Sequence, residues 1–534
     1  MRKLIIFVTR RINNIYLTMN KTILPLVVLW LAICAASCTQ KEMTPLEKDL
    51  HVFSDPLATK LKFWTSQSKI DGMQNADLKA AATALRQKQY STDYRVADYK
   101  AHLKPNLLGR QLHIGSGYSK YEGITGVLLQ KGERIVLAEG IPEGQKVNII
   151  VPDWERRAPE GINPSKDPNG WGIHKKVYPL VNGANLIEVE KDGLAYVDYY
   201  TETPETSPAI RVHFVNAPVN GYFDVTRNTN ADWDTLLAHA VYPVMDGKGR
   251  HAQIAYPVEA CKKYAAGKGV ELLTNYDSMV SLQHKFIGLQ KYNKVPDNRI
   301  LARVNYNYYM FRDGDGVAYM GTNPGNAMGM VVKPESVIKG DPCWGFNHEV
   351  GHVHQLRPYL NWGGLGEVSN NIVTLYVTTH FGNKSRLSAQ KSYEKARKNI
   401  IDKKISYLED GDVFNRLVPF WQLHLYFSQN GQPDFYPDLH EALRNNAENM
   451  KGLNPRRDVA AYQLNFVKQC CKVGNTDLTD FFTKWGFLRP VTKEMNDYGK
   501  YQINLTQEMV DSCKAEIASW NLPLPKTDLT LLED

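Results

Sequence analysis

The residues best spaced for chemistry in this chain are His348-Glu349-Val350-Gly351-His352. Residues four apart on an α-helix lie one above the other, so both imidazoles can reach a single cation while Glu349 turns toward a water on it. With 14 His in 534 residues, an accidental match is expected on the order of a few hundredths of a time, before a helical frame is required. The competing explanation is a structural helix that happens to carry two histidines. Against it stands Gly351, which costs about 1 kcal/mol relative to Ala inside a helix and has a use if another backbone approaches there. Asp341 is expected as the N-cap with Pro342 at the first helical position, and Arg357-Pro358 should end the helix about one turn past His352.

A catalytic zinc is held by three protein side chains and keeps a fourth position for water. Past Asn361-Trp-Gly-Gly-Leu-Gly, Glu367 is the best third ligand, read as opening a second helix with Val368, Ile372, Leu375 and Tyr376 as its apolar face. Asn371, one turn later on the same face, is placed either to hydrogen-bond a ligand and fix its orientation or to be an ordinary polar helix residue. His354 points to another face, and Glu394 and Asp402 belong to a solvated charged helix. Zinc on two imidazoles and a carboxylate acidifies water and polarises a carbonyl, with Glu349 as the proton carrier. That is the chemistry of peptide-bond hydrolysis without a covalent intermediate. It also needs a donor for the developing oxyanion, and spacing selects none among the many downstream Tyr and His.

These residues need elements to hold them. The expected fold class is multidomain α+β. Short alternating runs between turn signals, such as Gly126–Glu133, Arg134–Leu137, Lys146–Pro152, Asn185–Gly193 and Leu194–Tyr200, predict an antiparallel β-sandwich over 106–221. It is either a platform or a sugar-binding module. A tether and small helical lead-in, with a helix at Ala76–Arg86, occupy 38–105. Beyond 222 the periodicity is helical: Trp233, Leu236, Leu237, Ala240 and Val241 share one face, as do Met279, Leu282, Phe286 and Leu289. The domain 222–534 is therefore expected to be mainly helical. It carries a strand-like patch at Leu301–Phe311, a turn at Asp313-Gly-Asp-Gly, and long helices at Tyr393–Leu408 and Asp412–Phe427, the last with a kinking Pro419. Asp313-Gly-Asp-Gly lacks the remaining ligands of a calcium loop.

Composition removes other function classes. The formal charge is +8, but Arg2, Lys3, Arg10, Arg11 and Lys21 precede the folded part, leaving +3 and no clustered footprint for nucleic acid. Ile23–Ala36 is an uncharged run of signal-peptide length ending in Ala35-Ala36-Ser37-Cys38. It resembles a bacterial lipoprotein signal, residues 1–37, with Cys38 the lipidated residue, and an uncleaved anchor as the alternative. Met19 competes with Met1 as the start. The expected location is the cell envelope, outer membrane or cell surface. Cys261, Cys343, Cys470, Cys471 and Cys513 then remain, an odd number without metal or redox spacing.

The pentad, fourteen intervening residues and Glu367 together resemble the M60-like, or enhancin-like, zinc metallopeptidases. Gly126-Val-Leu-Leu-Gln-Lys-Gly-Glu with Tyr178-Pro-Leu-Val-Asn-Gly-Ala-Asn-Leu-Ile is similar to that family's N-terminal sandwich, and Asp477-Leu-Thr-Asp-Phe-Phe-Thr-Lys-Trp-Gly-Phe to its C-terminal segment. The resemblance spans roughly 110–490 and implies a gluzincin-type domain. Zinc would sit on His348, His352 and Glu367, with Glu349 as general acid and base. It further implies mucin-like O-glycosylated proteins as substrates. Trp344, Trp362, Tyr306, Tyr308 and Tyr309 are candidates for stacking on sugars or for the core. The other readings are a glycan-binding lipoprotein with a non-catalytic metal site, and an exopeptidase or envelope-processing peptidase; the intact Glu349 speaks for catalysis.

Overall fold

Alternation along short strands organises the first half of the chain in a computed structural model that describes residues 43–322 and 326–534. Cys38 and the apolar run before it lie outside the described residues. The strands are β1 (Val96–Tyr99), β2 (Gly123–Leu129), β3 (Gly132–Glu139), β4 (Val147–Pro152), β5 (Lys175–Leu180), β6 (Gly183–Val189), β7 (Gly193–Asp198) and β8 (Ile210–Phe214). They form two antiparallel four-stranded sheets, ordered β1-β8-β3-β6 and β2-β7-β4-β5. Side chains one position apart on a strand face opposite ways. Val136 and Ala138 of β3 accordingly join Val127 and Leu129 of β2 in one apolar cluster shared by the two sheets. Ile135 and Leu137 on the other face of β3 pack on Leu78, Ala81 and Ala82 of the helix Ala76–Arg86. Ile124 and Leu128 of β2 join the core of the second half.

The second half interleaves a six-stranded sheet with helices, among them Asn230–His239 and Gly269–Phe286, which carry the two expected apolar faces. Strands β9 (Phe223–Asp224), β10 (Val244–Lys248), β11 (Ala252–Pro257), β12 (Ile300–Asn305), β13 (Met310–Asp313) and β14 (Gly316–Met320) run in the order β9-β10-β11-β12-β14-β13. The pairs β11/β12 and β12/β14 are parallel, and β13 returns antiparallel to β14 at the sheet edge. The domain expected to be mainly helical throughout is therefore mixed as far as Met320 and mainly helical only beyond it. The inner strands of the sheet are short and buried on both faces, so they show no alternation to separate them from buried helix. Asp313-Gly-Asp-Gly is the β13–β14 turn, with Asp313 Oδ1 accepting from the Asp315 amide at 2.9 Å.

The helices that matter for the site are α1 (Gly269–Phe286), α2 (Gly340–His354), α3 (Ser369–His380), α4 (Val413–Gln429), α5 (Phe435–Asn445) and α6 (Val459–Gly474). α4 runs through Pro419. The long helix expected over Tyr393–Leu408 is instead broken into an α-turn at Ser392–Ala396, a π-turn at Arg397–Ile401 and a 3-10 turn at Tyr407–Glu409. The Glu409 carboxylate caps that last turn by accepting from the Ser406 amide at 2.8 Å, a local bond that competes with helix continuation. The described chain closes with a hairpin, β15 (Val491–Asn496) and β16 (Lys500–Leu505), and a further helix. The five cysteines in the described residues are all free and buried.

One polar relay crosses between the halves. Tyr196 on β7 donates its hydroxyl to Asp246 on β10, with oxygens 2.7 and 2.8 Å away, and Trp154 Nε1 donates to Tyr196 at 3.1 Å. Burial raises the Asp246 carboxyl to about 7, only partly offset by Tyr196. The folded state thus holds a proton that the unfolded chain releases near 3.8, and this stabilisation, complete below that value, is lost as pH rises through about 7. In Asp246→Asn the thermal midpoint is expected to decline less between pH 3.8 and about 7 than in the parent, checked by thermal unfolding of both proteins across that window.

Candidate metal centre

Local sequence places the metal-binding helix slightly differently from expectation. α2 begins at Gly340 with Lys339 as the cap position, and no side chain caps it. Asp341 therefore lies inside the first turn, where it pairs with Arg386. Pro342 is tolerated there because the first four helical N–H groups have no partner within the helix. Gly351 has the use expected of it: a Cβ added there would lie 2.7 Å from the Asn370 carbonyl oxygen. α3 can thus press its first turn against the middle of α2. Glu367 stands two residues ahead of α3, in the loop rather than on the helix.

This approach gathers His348, His352 and Glu367, whose ligand atoms lie within 4.8 Å of one another, the one such group of His, Cys, Asp or Glu among the described residues. Glu367 Oε2 is 3.2 Å from His348 Nε2 and 3.5 Å from His352 Nε2. The edge of a tetrahedron with metal–ligand bonds of about 2.1 Å is about 3.4 Å, so the donor set fits a small divalent cation. Both rings are oriented from behind. His348 Nδ1 shares a hydrogen bond of 2.8 Å with Asn371 Oδ1, and His352 Nδ1 one of 3.2 Å with Gln355 Oε1. Gln355 in turn donates to Gly366 O at 2.7 Å and Ser369 Oγ at 2.9 Å. These bonds make Nδ1 the protonated nitrogen and leave each Nε2 lone pair for a metal.

Electrostatics follow the same arrangement. Burial works against the Glu367 carboxylate, but the His348 and His352 rings and the Tyr498 hydroxyl beside it outweigh that and hold the carboxyl well below its usual range. Burial pushes Glu349 upward, tempered by the two histidines. Glu349 borders an open cleft of about 670 Å³ together with His348, His352 and Glu367. Phe311 and Arg312 of the edge strand β13 also line it.

Several neighbours of the site escaped sequence reasoning. Asn370 Nδ2 is 3.0 Å from His348 Nδ1 and 3.2 Å from His352 Nε2, while its buried Oδ1 has no protein partner. Its place beside Asn371 was the available signal. Tyr498, on the tip of the β15–β16 hairpin, donates to Glu367 Oε1 at 2.5 Å. Nothing in the spacing links it to a residue 131 positions earlier. Trp171 reaches the cleft from the loop between β4 and β5 and stacks on Tyr308, with centroids 4.8 Å apart and planes 11° from parallel. A buried lock holds that loop: Asp167 pairs with Arg156 and accepts from Asn307 Nδ2 at 3.0 Å, and Arg157 lies 3.7 Å over the Tyr306 ring. Of the aromatic residues considered for sugars, Trp344, Trp362 and Tyr306 are core, while Tyr308 and Tyr309 are exposed. His354 is excluded from the site. It is buried, bonded to Gln283 Oε1 at 2.8 Å and to the Tyr118 hydroxyl at 3.0 Å.

The sequence profile of Peptidase M60, enhancin and enhancin-like proteins matches residues 215–486, just over half of the chain and containing the whole ligand set. The chain belongs to this M60 family. It is a metallopeptidase. Solved structures share its fold: a metallopeptidase from Bacteroides thetaiotaomicron is 24% identical with a TM-score of 0.78, over 93% of this chain and 83% of that one. A metallopeptidase in complex with Tn antigen is 23% identical with a TM-score of 0.71, over 84% and 81%. The M60 catalytic domain of Clostridium perfringens ZmpC, in complex with the sialyl T antigen, is 16% identical with a TM-score of 0.61, over 82% of each chain. Among curated proteins no match is found.

In this M60 peptidase the Asn371 bond is the shortest outer contact to a ligand ring. Asn371→Ala is expected to weaken metal binding about 10–100-fold with little change in the thermal midpoint of the metal-free protein, as measured by competition with a chromophoric chelator.

Proposed function

We propose that this M60 peptidase is a zinc endopeptidase that cuts O-glycosylated proteins, with Glu349 as the general base and His348, His352 and Glu367 as ligands. The observation that carries the reading is the position of Glu349: it lines the same open cleft as the three-donor cluster but is not one of the donors. A zinc ion held by those donors supplies a Lewis acid that acidifies water and polarises a carbonyl. Glu349 receives the proton of the attacking water and passes it to the departing amine, which balances the hydrolysis without a covalent intermediate. The edge strand β13 offers unpaired backbone groups along which an extended substrate can lie. Arg312 on that strand sits close enough to Glu349 to favour its charged form.

Glycoprotein substrates are supported by two structurally similar peptidases, described with the Tn and sialyl T antigens, and by the exposed aromatic wall of the cleft. Trp171 and Tyr308 give a flat face on which a sugar ring packs. The two N-terminal sheets act as a β-sandwich platform that delivers Trp171. Export and lipid attachment at Cys38 complete the proposal, supported by the uncharged run that ends beside that cysteine. Among the described residues no helix is long and apolar enough to cross a membrane.

An O-glycosylated peptide and its bare twin, each incubated with and without chelator, test the reading. Chelator-sensitive cleavage confined to the glycosylated peptide is expected, and equal cleavage of both would remove the glycoprotein assignment. Binding of the glycopeptide without any cleavage would leave a glycan-binding protein instead. Glu349→Gln is expected to keep stoichiometric zinc by elemental analysis and to lose turnover; loss of the metal would make Glu349 a ligand. Trp171→Ala is expected to raise KM for the glycopeptide roughly threefold to tenfold while kcat changes little, as read from steady-state kinetics.

A further inference from the structure

The loop that carries Glu367 has no regular structure of its own, yet a ligand must be held to within a fraction of an ångström. What holds it is the β15–β16 hairpin, which lies beyond the segment matched by the family profile. Asp497 Oδ2 accepts from the Gly364 amide at 2.8 Å and from the Gly366 amide at 2.9 Å. Tyr498 then donates to Glu367 Oε1, which leaves Oε2 facing the two imidazoles. From the other side Arg416 Nη1 donates to Gly364 O at 2.6 Å.

Two of the glycines of Asn361-Trp-Gly-Gly-Leu-Gly are explained by the same contact. A Cβ on Gly363 would lie 2.5 Å from the Tyr501 side chain and one on Gly366 2.3 Å from Asp497 Oδ1, both on the hairpin. Gly364, at φ 92°, would meet Leu408 at 2.7 Å before Met495 Sδ at 3.1 Å. The tip of the hairpin is strained as well: Tyr498 has φ 52°, a left-handed conformation that costs a non-glycine residue about 1 kcal/mol. The hairpin turn, with Gly499 beside it at φ 145°, imposes this conformation, and the side chain it presents is 84% exposed and bonded to Glu367.

We infer that Asp497 and Tyr498 are positioning residues for the metal: the hairpin fixes the third ligand, and the metal site is incomplete without this C-terminal element. The inference rests on His348, His352 and Glu367 being the ligands. Asp497 sets the loop backbone and Tyr498 sets the carboxylate rotamer, neither touching the metal.

The test is zinc affinity of the mature protein and its variants, measured with zinc alone by competition against a chromophoric chelator, alongside the thermal midpoint without metal. Asp497→Ala is expected to weaken zinc binding about 10–100-fold. Asp497→Asn, which keeps an acceptor oxygen, should restore affinity to within about threefold of the parent, on the same scale. Tyr498→Phe removes one hydroxyl from a solvent-facing side chain and should lower affinity about tenfold with an unchanged midpoint. Parent-like affinity in both Asp497→Ala and Tyr498→Phe overturns the inference. So does a Tyr498→Phe protein that binds zinc normally but has lost kcat, since its hydroxyl would then serve the reaction rather than the ligand. If the midpoint of Asp497→Ala collapses, Tyr498→Phe alone decides. A parent protein that binds no zinc refutes the ligand assignment itself, a result distinct from either of these.

Discussion

The close crossing of α2 and α3 is the constraint on which the site depends. Without a side chain at Gly351, the Asn370 carbonyl can reach the helix that carries both imidazoles. Three things then follow from one contact. Glu367, just ahead of α3, falls within reach of the rings; Asn371, in its first turn, takes the outer nitrogen of His348; and Asn370 covers the space beneath them. A bulkier residue at 351 would separate the two helices and with them the ligand set.

α2 is also keyed from its far side. Gln283 of α1 donates to the Asn347 carbonyl at 3.1 Å and accepts from His354, and Tyr118 bridges His354 and His284. These groups are buried, and burial holds the His354 and His284 rings neutral by lowering their proton affinity. Neutral rings can serve as both donor and acceptor, which is what a chain of alternating partners requires. The result is a helix whose rotation about its own axis is fixed, so that positions 348, 349 and 352 face the cleft while 347 and 354 face the core.

How much of this was legible in sequence depended on whether the signal was local. The pentad, Glu367 and Asn371 stand on adjacent elements within 24 residues, and helical geometry sets the two histidines on one face, while Glu367 meets them from the loop ahead of α3 rather than from the helix expected to carry it. The strands around 123–152 and 183–198 were legible because turn residues bracket them. The mixed sheet at 223–320 was legible only in the strand-like patch at Leu301–Phe311, since the strand Ala252–Pro257 beside it is buried over nearly its whole length and too short to reveal a period. The cap of α2 was misplaced by two residues because Asp341 and Pro342 also fit the interior of a first turn. Trp171, Asp497 and Tyr498 reach the site across more than a hundred residues of chain, and no spacing rule connects them to it. Gly363 and Gly366, ahead of Glu367, record the close passage of a hairpin that sequence could not place there.

The lock at Asp167 makes the two halves of the molecule interdependent in a particular way. The M60 segment carries the three-donor cluster and Glu349, but part of the cleft they border is lined by a loop rooted in the preceding sheets. Changes within residues 153–174 alone would therefore reshape the cleft while leaving the helices as they are. The same dependence runs through the core, since Tyr118 and Tyr196 of the preceding half complete buried hydrogen bonds to His354 and Asp246.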